Sequence, residues 1–531
     1  MPTIQALYTY ERNILVSASR SRQKSLIAAL IPGGLLLLVC LRFVHLQADF
    51  PLDLGDYGMA YTDEGWWSRN AVAWVRDGSW YIDDGYNTIT NLPVVPAVQT
   101  LWFKLFGVSL ASARAISVVC SLLVSGLVYL LAQRELPRTL AWIAPFVVLS
   151  DYPTFAYSRL ALLEMPMIAL LLLSLWLVTG GRELTFSRTV SSGVLLTLAI
   201  LAKTTALFAL PVVAFSVYLQ PGSFKVKIRT VLSWLLVVGV SSAVCYFFLN
   251  QAGDASSQAY FADHNVSQKV PKSVFDFLKG PLRVMERSFR LFPLLFPGLM
   301  GAIALIYKAP GKSLKTFFKT VTQPHADGPF ISELSAIIVL WTGCTLGAFS
   351  LSDFAAPRYF LVLIVPIALA VPLTIQTMLR RSAKGLTAGK LLALAFFIST
   401  SISLLRVGTY LRAPNFTLIT TANTIEEIVT AKGARSNVVM GNFVDTLALA
   451  AAGNIKAIND KMGFQALENR LETFNPSYYL SIGPAGTLNK DYVRIKDAIE
   501  KRYQLRLLEK FEIYRRRDFD QPVFFYRLAP R

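Results

Sequence analysis

YTDEGWWSRNAVAWVRDG, Tyr61–Gly78, sets two adjacent carboxylates, Asp63 and Glu64, ahead of a Trp-rich segment. The fold turns on what precedes this pair. Ser25–Val44 is a long apolar run introduced by Arg20, Arg22 and Lys24. It is long for a signal-peptide core and lacks a small-residue cleavage site, so it reads as a retained first span. Of 531 residues, 54% are hydrophobic and only 16% charged, and the mean hydropathy is +0.47. Soluble globular chains rarely reach such values; many bilayer-spanning segments produce them naturally.

Apolar runs predict spans near 25–45, 110–132, 139–157, 160–179, 189–203, 205–219, 230–250, 290–307, 332–350, 358–379 and 389–408. The expected fold class is a polytopic α-helical membrane protein of about eleven transmembrane helices. The tight pairs at 139–179 and 189–219 leave re-entrant or broken helices open. With the N-terminus inside, the inner loops carry Arg134 and Arg138, Arg182 and Arg188, Lys225, Lys227 and Arg229, Lys308, Lys312, Lys315 and Lys319, then Arg380, Arg381 and Lys384. That is the positive-inside pattern, and it accounts for a net charge of +19 without nucleic acid. The first outer loop, 46–109, is rich in Asp. The outer loop 251–289 breaks the trend with Lys269, Lys272, Lys279, Arg283 and Arg287; an anionic partner outside would explain it. The four cysteines lie inside apolar runs and show no metal or redox spacing.

Near residue 412 the composition changes. Strand-like runs at 437–441, 478–482, 504–508 and 523–526 alternate with helical patterns at 421–431, 464–474 and 491–501. These predict a C-terminal extracytoplasmic α/β domain, 412–531, attached to a transmembrane domain, 1–411. No glycine-rich phosphate loop, Ser/His/Asp set, internal repeat or low-complexity tract is present.

Glu64–Asp77 has helical spacing, with Trp67, Ala71, Trp74 and Val75 on one stripe. An amphipathic helix in the membrane interface is expected, holding Asp63 and Glu64 at its N-terminal end. The simpler reading makes the two acids partners of the helix dipole. Asp83 and Asp84 read as loop acids.

The wider context carries a resemblance. TDEGWW, the segment Tyr81–Leu123 with Lys104–Gly107 and Arg114, YSRLALLEMPMIALLLLSLWL (157–177), LAKTTALFALP (201–211), YFADHN (260–265) and APRYFLVLIVPIALA (356–370) follow one another in order. This succession resembles the polytopic GT-C glycosyltransferases, the family of protein O-mannosyltransferases and the bacterial aminoarabinose transferase, over about residues 25–410. The chain departs from the family pattern at Pro93-Val94, Asn91, Glu164 and Thr204.

The resemblance implies transfer of a sugar from a polyprenyl-phosphate donor to a protein, lipid or glycan acceptor outside the cytoplasm. It implies Asp63 as general base, with Glu64 orienting the acceptor or helping to bind a cation. It implies Lys203, Arg358, Tyr359 and His264 at the donor phosphate, where fixed positive charge is most effective in a low dielectric. Arg159, Glu164, Asn91 and Trp67 would line the cavity, Arg159 pairing with Glu164. A divalent cation on Asp63 and His264 is allowed, although two such groups fall short of a full ligand set. The plainer readings are snorkelling for Lys203, an anchoring role for Arg358, solvent exposure for His264 and a structural ion pair for Glu164. The competing functional classes are a transporter or flippase, which predicts inverted repeats and charges at span centres, and a non-catalytic scaffold.

Overall fold

The computed structural model describes residues 32–54, 57–84, 87–180, 184–252, 257, 259, 273–307, 333–352, 356–379, 383–431, 436–441, 444–460, 467–482, 490–513 and 522–531. Two compact units divide at Val44/His45. The described part of the first is the apolar helix Pro32–Leu41 and the turns that follow it. Everything else belongs to the second.

Among the described residues, five helical stretches are long and apolar enough to cross a membrane: Leu110–Ala132, Phe224–Gln251, Glu333–Ser350, Pro357–Gln376 and Ala393–Thr430, the last interrupted at 413–416. This is an integral membrane protein. Phe224–Gln251 shows the physics most plainly. It is barely buried, and Leu232, Leu236, Val240, Phe247 and Phe248 point outward; such a face is stable against hydrocarbon and unstable against water. The other apolar runs form shorter pieces, and their sequence says why. In the run expected at 139–157, Asp151 turns the backbone and accepts the Thr154 amide at 2.9 Å, so a new helix, Tyr152–Tyr157, starts there with Pro153 in its first turn. Helix Phe186–Ala202 stops at Lys203, whose backbone is extended. A tight 3₁₀ turn, Thr204–Ala209, then leads into Leu210–Tyr218, which has Pro211 in its first turn. The broken-helix alternative describes both places.

The amphipathic helix differs from expectation. It runs from Tyr57 to Asp77, so Asp63 and Glu64 stand well inside it and not at its N-terminal end. The helix-dipole account of the two acids therefore fails, because that field fades beyond the first turn. Of the expected stripe, Ala71 is buried, Trp67 and Trp74 are half-buried and Val75 is exposed. Trp66, Ser68, Arg69, Asn70, Ala71, Val72 and Ala73 are buried, and Trp67 packs partly buried on the core. Small residues at 65, 68, 71 and 73 let neighbouring elements close on the helix from several sides.

The C-terminal quarter contains a five-stranded sheet. Its strands are β1 (Val438–Gly441), β2 (Lys456–Asn459), β3 (Tyr478–Ile482), β4 (Tyr503–Phe511) and β5 (Val523–Pro530), in the order β2-β1-β3-β5-β4. β1 pairs parallel with β2 and β3, while β5 pairs antiparallel with β3 and β4. Alternation along the strands splits the side chains between two cores. Val438, Met440, Ile458, Tyr479 and Leu528 pack with Leu467, Leu471, Ile495 and Ile499. Val439, Ala457, Tyr478, Leu480 and Phe525 join the main core of the helical body. β2 and helix Val444–Ala450 are absent from the sequence-based expectation, being short and flanked by Ala-rich sequence.

Asp49 ties this region to the membrane helices. Its carboxylate accepts the Thr417 amide at 2.8 Å, the Thr417 hydroxyl at 2.7 Å and the Leu418 amide at 3.2 Å, so helix Thr417–Thr430 is capped by a residue more than 360 positions earlier in the chain. Asp49→Ala is expected to cost about 1–2 kcal/mol, read as a lower thermal unfolding midpoint of the purified protein in detergent. An unchanged midpoint would contradict the cap.

Candidate active site

Four charged side chains from four segments meet in one group. Asp63 comes from the interior of helix Tyr57–Asp77. Glu164 is the first residue of helix Glu164–Val178. Lys203 occupies the extended break after Ala202. Arg358 lies in a 3₁₀ turn, Pro357–Leu363, that Pro357 initiates. Three of the four thus sit where an apolar helix begins or breaks, which is where backbone irregularity lets a charged side chain turn inward.

Arg358 is the hub. Its Nη2 donates to Asp63 Oδ2 at 2.5 Å, and its Nε lies 3.3 Å from Glu164 Oε1. Glu164 Oε1 also accepts from Lys203 Nζ. Tyr359 closes the group from one side: Lys203 Nζ stands 4.2 Å from its ring centre and the Arg358 guanidinium 5.4 Å, a favourable placement of cations on an aromatic face. Two carboxylates and two cations make the ensemble neutral, as burial requires. Asp63 is the least enclosed, with 13% of its side chain exposed against 3% for Glu164.

Glu64, the neighbour of Asp63, has a different environment. It is fully buried, and both its oxygens accept from Arg114, at 2.7 Å each. Oε1 also accepts the Ala161 amide at 2.8 Å. Arg114 also donates to the carbonyls of Leu46 (2.9 Å) and Ala48 (2.6 Å). Held in this way, the carboxylate clamps three segments together.

The structure therefore brings Asp63, Glu164, Lys203, Arg358 and Tyr359 together and sets the other candidates apart. Arg159 does not pair with Glu164, whose salt bridges go to Lys203 and Arg358. Its guanidinium instead lies over Phe155 and Tyr410 and donates to the His45 carbonyl at 2.6 Å. Asn91 is half-buried ahead of helix Val94–Phe106 and donates to Thr90 Oγ1 at 2.9 Å. His264 lies outside the described residues, as do Lys269 and Lys272. Asp84 is not a loop acid in solvent: it is completely buried and paired with Arg69, and Arg69 Nε lies 3.4 Å from Asp445. Sequence reading gave no partner to Arg114, Arg69, Asp445 or Thr446. A signal was present in Gly65, because a glycine inside a helix next to functional acids marks a close backbone approach.

The sequence model of the dolichyl-phosphate-mannose-protein mannosyltransferase family matches residues 90–248. No curated protein matches the sequence. In structure, the chain is similar to ArnT from Cupriavidus metallidurans bound to undecaprenyl phosphate, with a TM-score of 0.58 at 14% identity over 94% of this chain and 97% of that one. ArnT in the apo state gives 0.59 at 14% identity, over 96% and 98%. The chain shares the fold of ArnT. The Archaeoglobus fulgidus oligosaccharyltransferase is a looser likeness, with a TM-score of 0.48 at 13% identity over 85% and 69%.

The divalent cation allowed by the resemblance was expected on Asp63 and His264, and His264 lies outside the described residues. Among the described residues no three His, Cys, Asp or Glu side chains group to hold a metal ion. Asp63 is paired with Arg358, and Glu64 with Arg114.

Arg114→Ala strands the buried Glu64 carboxylate, with an expected loss of about 3–5 kcal/mol. Glu64→Gln combined with Arg114→Gln removes both charges and should recover most of it. Thermal unfolding of the two variants in detergent decides: equal losses would mean that the charge balance is unimportant.

Proposed function

We propose that this protein is a membrane glycosyltransferase that takes a sugar from a polyprenyl-phosphate-linked donor and passes it to a hydroxyl acceptor outside the cytoplasm, on a protein, glycolipid or glycan. One observation carries the reading: Asp63, Glu164, Lys203 and Arg358 form a continuous ion-paired group drawn from four segments of a GT-C fold. The mannosyltransferase family match and the undecaprenyl phosphate bound to ArnT support the donor class.

The acceptor oxygen attacks the anomeric carbon in line. The bond from that carbon to the phosphate oxygen breaks, its electron pair leaves with the lipid phosphate, and the configuration inverts. Asp63 takes the hydroxyl proton, consistent with its being the most accessible of the four. Lys203 and Arg358 receive the leaving phosphate in a water-poor setting where their charge counts most, and the Arg358 fork suits two phosphate oxygens. Both cations are already matched by carboxylates. The donor phosphate and Asp63 therefore compete for Arg358, so that donor binding loosens the ion pair on Asp63 and raises its basicity when a proton must be taken. Glu164 remains with Lys203 and limits the excess charge. His264 belongs to the donor side through the family resemblance.

In this reading about eleven spans form the catalytic domain, 1–411, of a bacterial inner or plasma membrane protein. The active site and the segment 412–531 lie outside the cytoplasm.

The test uses a panel of undecaprenyl-phosphate-linked sugars, with released undecaprenyl phosphate as the readout. Asp63→Asn should lower turnover by about 10²–10⁴-fold while undecaprenyl phosphate still binds. Arg358→Lys keeps the charge but loses the fork, and should weaken that binding. Wild-type turnover in the first variant removes Asp63 as base; unaltered affinity in the second removes Arg358 from the phosphate site.

A further inference from the structure

Gly65 follows the two acids directly and is buried. Although it lies inside helix Tyr57–Asp77, its amide reaches out of the helix and donates to Thr446 Oγ1 at 3.0 Å, 381 residues further along the chain. A Cβ at this position would run into the backbone of Asp445 and Thr446. The two main chains are thus in contact, an approach that only glycine permits. One turn on, Arg69 is held by Asp84 and approached by Asp445. Further along, Arg76 Nη1 donates to the Ile455 carbonyl at 3.1 Å. Residues 65, 69 and 76 share one helix face, and that face rests on the segment between β1 and β2. Glu64 points elsewhere, to Arg114.

The placement of this contact in the sheet is informative. Asp445 and Thr446 follow the carboxyl end of β1, and Asn459 closes β2. In open α/β sheets the carboxyl ends of parallel strands form the crevice that usually takes a ligand. Here the first outer loop occupies that edge. Asp84 Oδ2 accepts the Asn459 amide at 3.3 Å, and Arg470 donates to the Asn459 carbonyl from the far side.

We propose that Thr446 is a positioning residue for Asp63: through the Gly65 amide it fixes the depth and rotation of the acid-bearing turn, so that Asp63 meets Arg358 and the acceptor. The proposal rests on the reading of Asp63 as the base. Gly65 is two residues from Asp63, and a misplacement of about 1 Å in a reacting group costs on the order of 100-fold in rate. The C-terminal segment thereby belongs to the active-site scaffold.

Full-length protein in lipid nanodiscs is compared as wild type, Thr446→Val and Thr446→Ser. Valine keeps the shape and removes the acceptor oxygen; serine keeps the oxygen. Hydrogen–deuterium exchange is followed over residues 61–69, and transfer is followed with the undecaprenyl-phosphate-linked sugars. Thr446→Val should speed exchange about tenfold and lower kcat by about 10–100-fold with KM for the donor unchanged. Thr446→Ser should restore both. Unchanged exchange and kcat in Thr446→Val overturn the proposal. Equal defects in valine and serine overturn it too, since the methyl and not the hydroxyl would then matter. A Thr446→Val chain that cannot be purified, beside a serine variant that can, assigns the residue to folding and also overturns it. If the wild type transfers no sugar from the panel, the reading of Asp63 as base falls, and the exchange arm alone still decides whether Thr446 holds the turn.

Discussion

The buried pair between Glu64 and Arg114 is the contact on which the site's geometry rests. A carboxylate with no exposed surface needs a charged partner and hydrogen bonds, and here two groups supply them. Arg114 supplies two hydrogen bonds, Ala161 supplies its amide, and Arg114 reaches on to the carbonyls of Leu46 and Ala48. Helix Tyr57–Asp77, helix Leu110–Ala132, the segment before Glu164 and the start of the outer loop are locked by one charge pair. Loosening any of them would leave a charge unpaired in a low dielectric, so the arrangement is effectively all or none.

That lock explains why two adjacent acids can have unlike roles. Successive residues on an α-helix point about 100° apart, so Asp63 and Glu64 cannot both face one substrate. Glu64 turns toward Arg114 and fixes the helix. Asp63, one residue earlier, is carried round to Arg358. Its depth follows from the helix, and its direction follows from the helix rotation that Glu64 and Gly65 set just after it.

Much of this was legible in the sequence, and the rest was not, for identifiable reasons. Apolar runs mark helices because burial against hydrocarbon depends on composition alone, so the runs at 110–132 and 332–350 correspond to observed helices. Glu164, Lys203 and Arg358 stood out because a charge at the edge of an apolar run needs a partner. The pairing itself was not legible. Arg159 and Glu164 are close in sequence, yet the chain turn between them sends their side chains to different neighbours. The start of the acid-bearing helix is not legible because Gly58 and the tyrosines at 57 and 61 weaken the helical signal there. Asp84 and Asp445 owe their burial to a contact between segments hundreds of residues apart, and no local pattern records such a contact.

The C-terminal sheet shows the same limit from the other side. Its alternating residues were readable as strands, and alternation alone would suit a sheet with one wet face. Both faces are covered over β1 and β3, while the edge strand β4 is largely exposed. One packs its own helices, and the other packs the helical body through Val439, Tyr478, Leu480 and Phe525. A sheet buried on both faces cannot swing away without exposing that second core, so the elements at its carboxyl edge keep a fixed relation to the helix they touch. Rigid placement of the edge at Asp445 and Thr446 is what allows a contact beside Gly65 to define where Asp63 stands.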